Sequence, residues 1–376
     1  MKGENTLNNF KDKTKLKFLI IPIVLIIFPL ILSSCNNRKS KGIFINKWDN
    51  FYEDKNIHFY YDDGKTHNGQ QLKSTYKLDE LVASKKDELE KSSEIISWIQ
   101  GKIKFSKNSI SSNKDALSIL EELKNGKTGS DKEYAEVFTQ SVASLGIYSR
   151  IGEYKIKDSQ HEKDDTSFKV CEIWSSKYKK WVMFDVVNNC YMAKGSTPLS
   201  AIEILKNDLN SLNIVGIKDK NKYIKEYNKY FYSYTINIDN NINDAIKSNS
   251  SITFIPPGNI PEIKTNKGYI PPTIFVTKED LFSISPLEDY NNDYKDKKCT
   301  LILSKKNSNN NENLEFYIGA FKNSVMLDEY YISINGANFI KVKKYYRLNL
   351  KNEINTIRLS EDGKNIEREV MIQYKK

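Results

Sequence analysis

Few residues in this chain of 376 could do chemistry unaided. The thiols are Cys35, Cys171, Cys190 and Cys299, and the imidazoles are His58, His67 and His161. A thiol becomes a useful nucleophile where a helix N-terminus or a nearby cation favours the thiolate. An imidazole then moves the proton, and a carboxylate holds the imidazole in place. No local motif gathers such a set here: the chain has no CxxC, no HExxH and no glycine-rich phosphate loop. Metal catalysis has little support, and neither a metal ligand set nor a cofactor is expected. Beyond Cys35 the cysteines number three, so one disulfide at most could form within the chain.

Cys35 is set apart by what precedes it. Leu32-Ser33-Ser34-Cys35 closes an apolar run, residues 18–32, which follows Lys11, Lys13, Lys15 and Lys17. A basic start, a short apolar stretch and small residues before a cut describe an export signal. The tetrapeptide resembles the lipobox of bacterial lipoproteins. That resemblance implies removal of residues 1–34 and lipidation of Cys35. The chain would then be anchored to a bacterial envelope membrane, facing the periplasm or the cell exterior. The competing reading is an uncleaved transmembrane helix. The run is about 15 residues against the ~20 a span needs, and it contains Pro22 and Pro29.

Charge excludes one class of partner. The formal net charge is +10, with acids and bases interleaved rather than gathered in a basic stripe. Export and the missing stripe both argue against nucleic acid. Hydrophobic residues make up 39% and aromatics 12%, enough for more than one core in two or three domains.

Periodicity places the elements. Residues 36–55 read as a polar tether and 56–61 as a strand before the Asp62-Asp63-Gly64 turn. A helical pattern over 78–105 brings Ile95, Trp98, Ile99 and Ile103 to one face. Helices follow at 115–124 and 132–145, the second with Ala135, Phe138, Val142 and Leu145 on one side. The period then falls to two. Residues 148–157, 168–174 and 181–187 read as strands, and 199–209 as a helix after Pro198. Tyr223, Tyr227, Tyr230, Phe231 and Tyr234 form an aromatic stripe at helical spacing, best read as a packed helix face. Pro256-Pro257 and Pro271-Pro272 mark 251–290 as a loop-rich join. From Cys299 to Tyr374 short strands alternate with polar turns.

The order of elements in residues 78–205 resembles the transglutaminase-like domain of the papain-like cysteine enzymes. Residues 95–103, IISWIQGKI, resemble its Trp-bearing helix. Residues 129–138, GSDKEYAEVF, resemble its G-x-C-x-x-Y-A-x-x-F. Leu145-Gly146-Ile147 with Arg150 resembles LGIPAR, and residues 181–185, WVMFD, resemble W-x-x-x-D. Pro198-Leu199-Ser200-Ala201 with Glu203 resembles the PLSA-x-E of bacterial members. The resemblance implies acyl transfer by a thiolate at a helix N-terminus. It places the Cys position on Asp131, the His position on Phe168 and the Asp position on Asp185. The strand tryptophan falls on Val170, two before Glu172. A carboxylate is a poor nucleophile for an amide, and a phenyl ring cannot carry protons.

Stand-ins have little support. Strand alternation turns Cys171 away from Phe168, Val170 and Glu172. Ser130 could attack only if the alignment slipped by one, and it would still lack a base. His161 would have to reach in from a charged loop. Ser130-Asp131-Lys132-Glu133 instead fits a capping box, S-x-x-E.

The fold class expected is α+β: a transglutaminase-like (papain-like) domain followed by an all-β immunoglobulin-like sandwich. The boundaries are a signal peptide at 1–34, a tether at 35–55, the transglutaminase-like domain at 56–210, a helical and Pro-rich connector at 211–295 and the sandwich at 296–376. The function expected is that of an envelope lipoprotein without catalysis, binding an envelope peptide, polysaccharide or protein partner. Two alternatives stand beside it: an active cysteine- or serine-type amidase or acyltransferase with a displaced triad, and a purely structural envelope protein whose cleft is filled by side chains.

Overall fold

One helix organises the first half of the molecule. Asp131–Ser144 begins at Ser130, an extended N-cap residue, and carries an acidic first turn, Asp131 and Glu133, that suits the helix dipole. Gly146, with φ of 78°, turns the chain out of it. Every residue from Glu133 to Ser144 is buried. Helices His67–Tyr76, Glu88–Lys102 and Ala116–Glu122 pack around it, and strands Ser149–Lys155 and Ser167–Ser175 lie under it. The computed structural model describes residues 42–375 apart from 109–110, 125, 158, 160–164, 243–244, 264–269, 292, 306–314 and 352. Cys35 and the segment expected to direct export lie outside the described residues, and so does His161.

The helical pattern expected over 78–105 breaks in two. Leu78–Val82 ends early, and Glu88–Lys102 starts afresh where the Asp87 carboxylate accepts the N–H of Glu90. The helix expected over 199–209 is only Ala201–Leu205, and the strand expected over 56–61 is only Tyr60–Tyr61.

The strands form a nine-stranded sheet. In spatial order it runs Asn213–Val215, Cys190–Lys194, Lys180–Asp185, Ser167–Ser175, Ser149–Lys155, Ser233–Asn237, Ser251–Phe254 and Thr273–Val276, with Thr197–Pro198 paired beside Cys190–Lys194. Neighbours are antiparallel except the last pair, Ser251–Phe254 with Thr273–Val276, which is parallel. Four of these strands lie in 211–295 and correct the connector expected there. The last three extend the sheet because Ile236, Ile252, Phe254, Ile274 and Val276 alternate into the core that holds Tyr154, Phe168 and Val170. The prolines flank the strands without interrupting them, as a residue lacking an N–H must.

Two further antiparallel sheets enclose a separate core at the C-terminal end. One is ordered Gly42–Asp49, Arg368–Lys375, Ile354–Ser360, Glu329–Ile334, Ile340–Lys343; the other joins Thr300–Ser304, Glu315–Lys322, Val325–Met326 and Tyr346–Asn349. Ile43, Leu301, Phe316, Ile318, Tyr330, Ile332, Ile357 and Val370 fill the space between them. Gly42–Asp49 falls within the expected tether, yet it is a strand on the edge of this sheet, paired with Arg368–Lys375. The side chain of Asn50 then donates to the Leu301 carbonyl at 2.7 Å and accepts the Leu301 N–H at 2.8 Å. Residues 296–376 therefore lack one strand of their own sheet. Gly42–Lys376 divides as one compact unit, and among its described residues no helix is long and apolar enough to cross a membrane.

Candidate functional site

The N-terminus of the central helix is built tightly. Thr128–Gly129 pairs in parallel with Lys104–Phe105. A Cβ on Gly129 would stand 2.8 Å from Ile103 Cγ2 and 3.0 Å from Leu123 Cδ1, so a larger residue would have to displace Ile103. Ser130 and Glu133 then form the expected capping box. The Glu133 carboxylate accepts the Ser130 N–H at 2.7 Å, the Ser130 hydroxyl at 2.6 Å and the Ser111 N–H at 2.9 Å. Burial works against the charge of Glu133, but these donors outweigh it and hold the carboxyl below its ordinary range. The Ser130 hydroxyl is thus spent on its own helix cap. Ser130→Ala is expected to cost about 1 kcal/mol of stability. A denaturant melt of the variant measures it, and an unchanged midpoint would count against the cap.

Asp131, Phe168 and Asp185, the positions expected to correspond to the triad, are linked through short contacts. Asp131, half-buried as the first helical residue, accepts the backbone N–H of Lys169 on Oδ2 at 2.8 Å. Burial raises its carboxyl above the usual range, with the Lys169 N–H opposing. Phe168 is the next residue back on that strand. Its ring packs at 4.7 Å from Tyr227 and 5.8 Å from Tyr230. Tyr227 stacks on Tyr223 at 4.7 Å, and the Tyr223 hydroxyl donates to Asp185 Oδ2 at 2.9 Å. Asp185 is fully buried and also accepts from the N–H groups of Val187 and Asn188 and from Asn188 Nδ2 at 2.7 Å. Burial pushes this carboxyl up against the pull of those donors.

The tyrosine stripe occupies the space next to Phe168. It is not one helix face: Tyr223 and Tyr227 lie on Lys220–Tyr227, Tyr230 on a short 3-10 turn and Tyr234 on a strand. All four are buried in the core beside Phe168. Helical spacing signalled a packed surface, but not that the surface would close over this position. None of the five principal cavities among the described residues is lined by Asp131, Phe168 or Asp185.

Cys171, Cys190 and Cys299 are free and buried. Cys171 faces the helical core, away from Phe168, with Sγ 3.8 Å from the Ala135 carbonyl. Burial, and then the charge of Glu136, push its thiol far above the ordinary value. Cys190 and Cys299 are raised chiefly by burial as well. None sits where a thiolate would be favoured.

Other motif residues serve the scaffold. Arg150 and Glu172, fully buried, face each other across adjacent strands and pair at 2.7 to 2.8 Å. The guanidinium also donates to the Phe282 carbonyl at 2.7 Å and lies 4.1 Å over the Trp181 ring. Glu172 accepts the Tyr234 hydroxyl and the Ala201 N–H, each at 2.9 Å. A Cβ on Gly152 would stand 1.9 Å from that same hydroxyl, so glycine is needed for Tyr234 to reach Glu172. The pair joins the strands to the helix that follows Pro198. Sequence reading marked Arg150, Glu172, Trp181 and Ala201 separately; only the fold shows that they meet.

Residues 76–186 match the family model described as the transglutaminase-like superfamily. This segment is a transglutaminase-like domain. It begins at the end of the His67–Tyr76 helix, spans the central helix and closes just after Asp185. No curated protein and no solved structure shows significant similarity to the chain.

Proposed function

We propose that this chain is a lipid-anchored bacterial envelope lipoprotein whose transglutaminase-like domain binds and does not catalyse. The carrying observation is the site of Phe168. In the reaction that the family resemblance implies, this position holds and moves a proton, and here it holds a phenyl ring packed against Tyr227 and Tyr230. The nucleophile position is filled by Asp131, whose carboxylate takes up the Lys169 N–H. Only Asp185 keeps the triad's residue type, and Tyr223 and Asn188 have taken its oxygens. The ligand would be an envelope peptide, a polysaccharide or a protein partner. We read the two C-terminal sheets as an immunoglobulin-like sandwich that displays the domain.

Two experiments test this reading. With the folded protein near neutral pH, iodoacetamide should label Cys171, Cys190 and Cys299 only as fast as the chain opens. Rapid labelling of one thiol, with amide hydrolysis lost in step, would establish the displaced-triad alternative. For the anchor, Cys35→Ala should abolish processing and membrane retention, and mass spectrometry of the native protein should find Cys35 as a lipidated N-terminus. An intact residue 1 in the mature protein would overturn the lipoprotein reading.

A further inference from the structure

One unexplained feature of the transglutaminase-like domain lies away from the triad positions. A cavity of about 390 Å³ opens between the central helix and the segment that follows the Ser233–Asn237 strand. That volume is at the small end of the range for ligand pockets. Glu136 and Thr139 of the helix and Ser149 and Ile151 of the adjoining strand line one wall. Asn237, Asn240 and Asn249 line the other, and Lys114 stands at the exposed rim.

Most polar groups in these walls are already used. The Thr139 hydroxyl donates to the Ala135 carbonyl and the Ser149 hydroxyl to the Thr139 carbonyl. The Asp239 carboxylate accepts the N–H groups of Asn241, Lys247 and Ser248. Two groups are exceptions: Nη1 of Arg150, whose guanidinium is otherwise held by Glu172, and Glu136. Glu136 is 9% exposed, and its buried Oε2 has no hydrogen-bond partner. Buried carboxylate oxygens are seldom left without a donor, because the lost hydration is not replaced. Among the described residues no lysine or arginine pairs with Glu136, Arg150 being held by Glu172 and Lys169 by Glu153. The arrangement is an under-satisfied carboxylate in the wall of a cavity, amides and the Glu172-paired Arg150 beside it and an exposed lysine at the rim.

We propose that this cavity binds a short zwitterionic peptide or other small primary amine, its ammonium group donating to Glu136 and its carboxylate lying towards Lys114. An ammonium is a strong, charge-assisted donor to a buried carboxylate, and its charge offsets the carboxylate's own. The amides of Asn237, Asn240 and Asn249 suit the peptide unit between the two charged ends. The site gives the binding reading above a place. It does not depend on the lipid anchor or on the loss of catalysis, since neither Asp131 nor Phe168 lines it.

The ammonium contact needs the ionised carboxylate. Glu136 titrates near pH 7, raised by burial and lowered in part by Lys114, Lys169 and Lys132, with Glu133 adding to the rise and the Cys171 thiol close by. Affinity for an amine should therefore fall as pH drops through 7.

Calorimetry with the full-length protein in detergent micelles tests the site at pH 8 against L-alanyl-L-alanine, its N-acetylated form and maltose. Saturable binding of the dipeptide is expected. Acetylation, Glu136→Gln, or a shift to pH 5.5 should each weaken it tenfold or more. A melt of Glu136→Gln checks that the variant folds, and the acetylated probe tests the contact without any mutation. No saturable binding of the dipeptide would overturn the proposal, as would equal affinity for the acetylated form or preference for maltose. Thiol labelling and membrane fractionation are separate readouts, so failure here leaves the inactivity and anchoring readings standing.

Discussion

Arg150→Met should destabilise the domain by about 3–5 kcal/mol, because it leaves the fully buried Glu172 carboxylate without its counter-charge. The loss reaches further than one contact. Arg150 also holds the Phe282 carbonyl and covers the Trp181 ring, so the segment around residue 282 loses its tie to the sheet. Much of the cost is the stranded charge rather than the worth of the pair. Arg150→Met with Glu172→Gln should therefore recover a large part of it, since glutamine stays neutral, its amide oxygen can still accept the Ala201 N–H, and its amide nitrogen can donate to the Tyr234 hydroxyl oxygen. Urea melts of both single variants and the double variant measure this. A single-variant cost below ~1 kcal/mol would mean that water reaches Glu172 and that the network is not the scaffold described.

The second large effect has the opposite sign. Burial raises the Glu136 carboxyl from 4.5 to about 7 in the folded chain. Below pH 4.5 the carboxyl is protonated folded or unfolded, and its titration contributes nothing. Between 4.5 and 7 the unfolded chain gives up the proton and the folded chain keeps it, so stability falls as pH rises. Above 7 the full penalty stands, on the order of 3 kcal/mol at about 1.4 kcal/mol per unit. Glu136→Gln cannot ionise. It should match the native chain near pH 4 and exceed it by up to roughly 3 kcal/mol at pH 8. Urea midpoints at the two pH values decide the matter, and an equal difference at both would show that packing, not charge, governs this position. A group that weakens the free protein near neutral pH is what a ligand carboxylate looks like before its ligand arrives.

The scaffold of the transglutaminase-like domain could be read locally. Ser130 and Glu133 fit the capping box at their spacing alone, because both partners belong to one turn of backbone. The central helix and the three strands after it follow from a change of period, which reports which face each element buries. The same reading placed Asp131, Phe168 and Asp185 on a helix start and two adjacent strands.

Composition misled at both edges. Residues 211–295 were proline-rich and read as a connector, yet short strands there complete the large sheet, because a strand of four or five residues carries too little period to stand out. Gly42–Asp49 read as tether because its partner, Arg368–Lys375, lies more than 300 residues away. Pairing over that separation leaves no trace in a local window.

The sequence by itself determined the chemistry that each position can perform. Asp131 offers a carboxylate and Phe168 a phenyl ring at the positions where the resemblance would put a thiol and an imidazole, and no arrangement of the chain alters what those two groups can do. Tertiary structure alone decided what surrounds them. It brought Tyr223, Tyr227 and Tyr230 over Phe168 and closed Arg150 onto Glu172. It also left Glu136, an ordinary glutamate in the sequence, buried without a partner. The physical reason is that burial belongs to the packed assembly of distant segments. Identity fixes what a side chain could donate or accept, and only the fold fixes whether a partner or water is there to meet it.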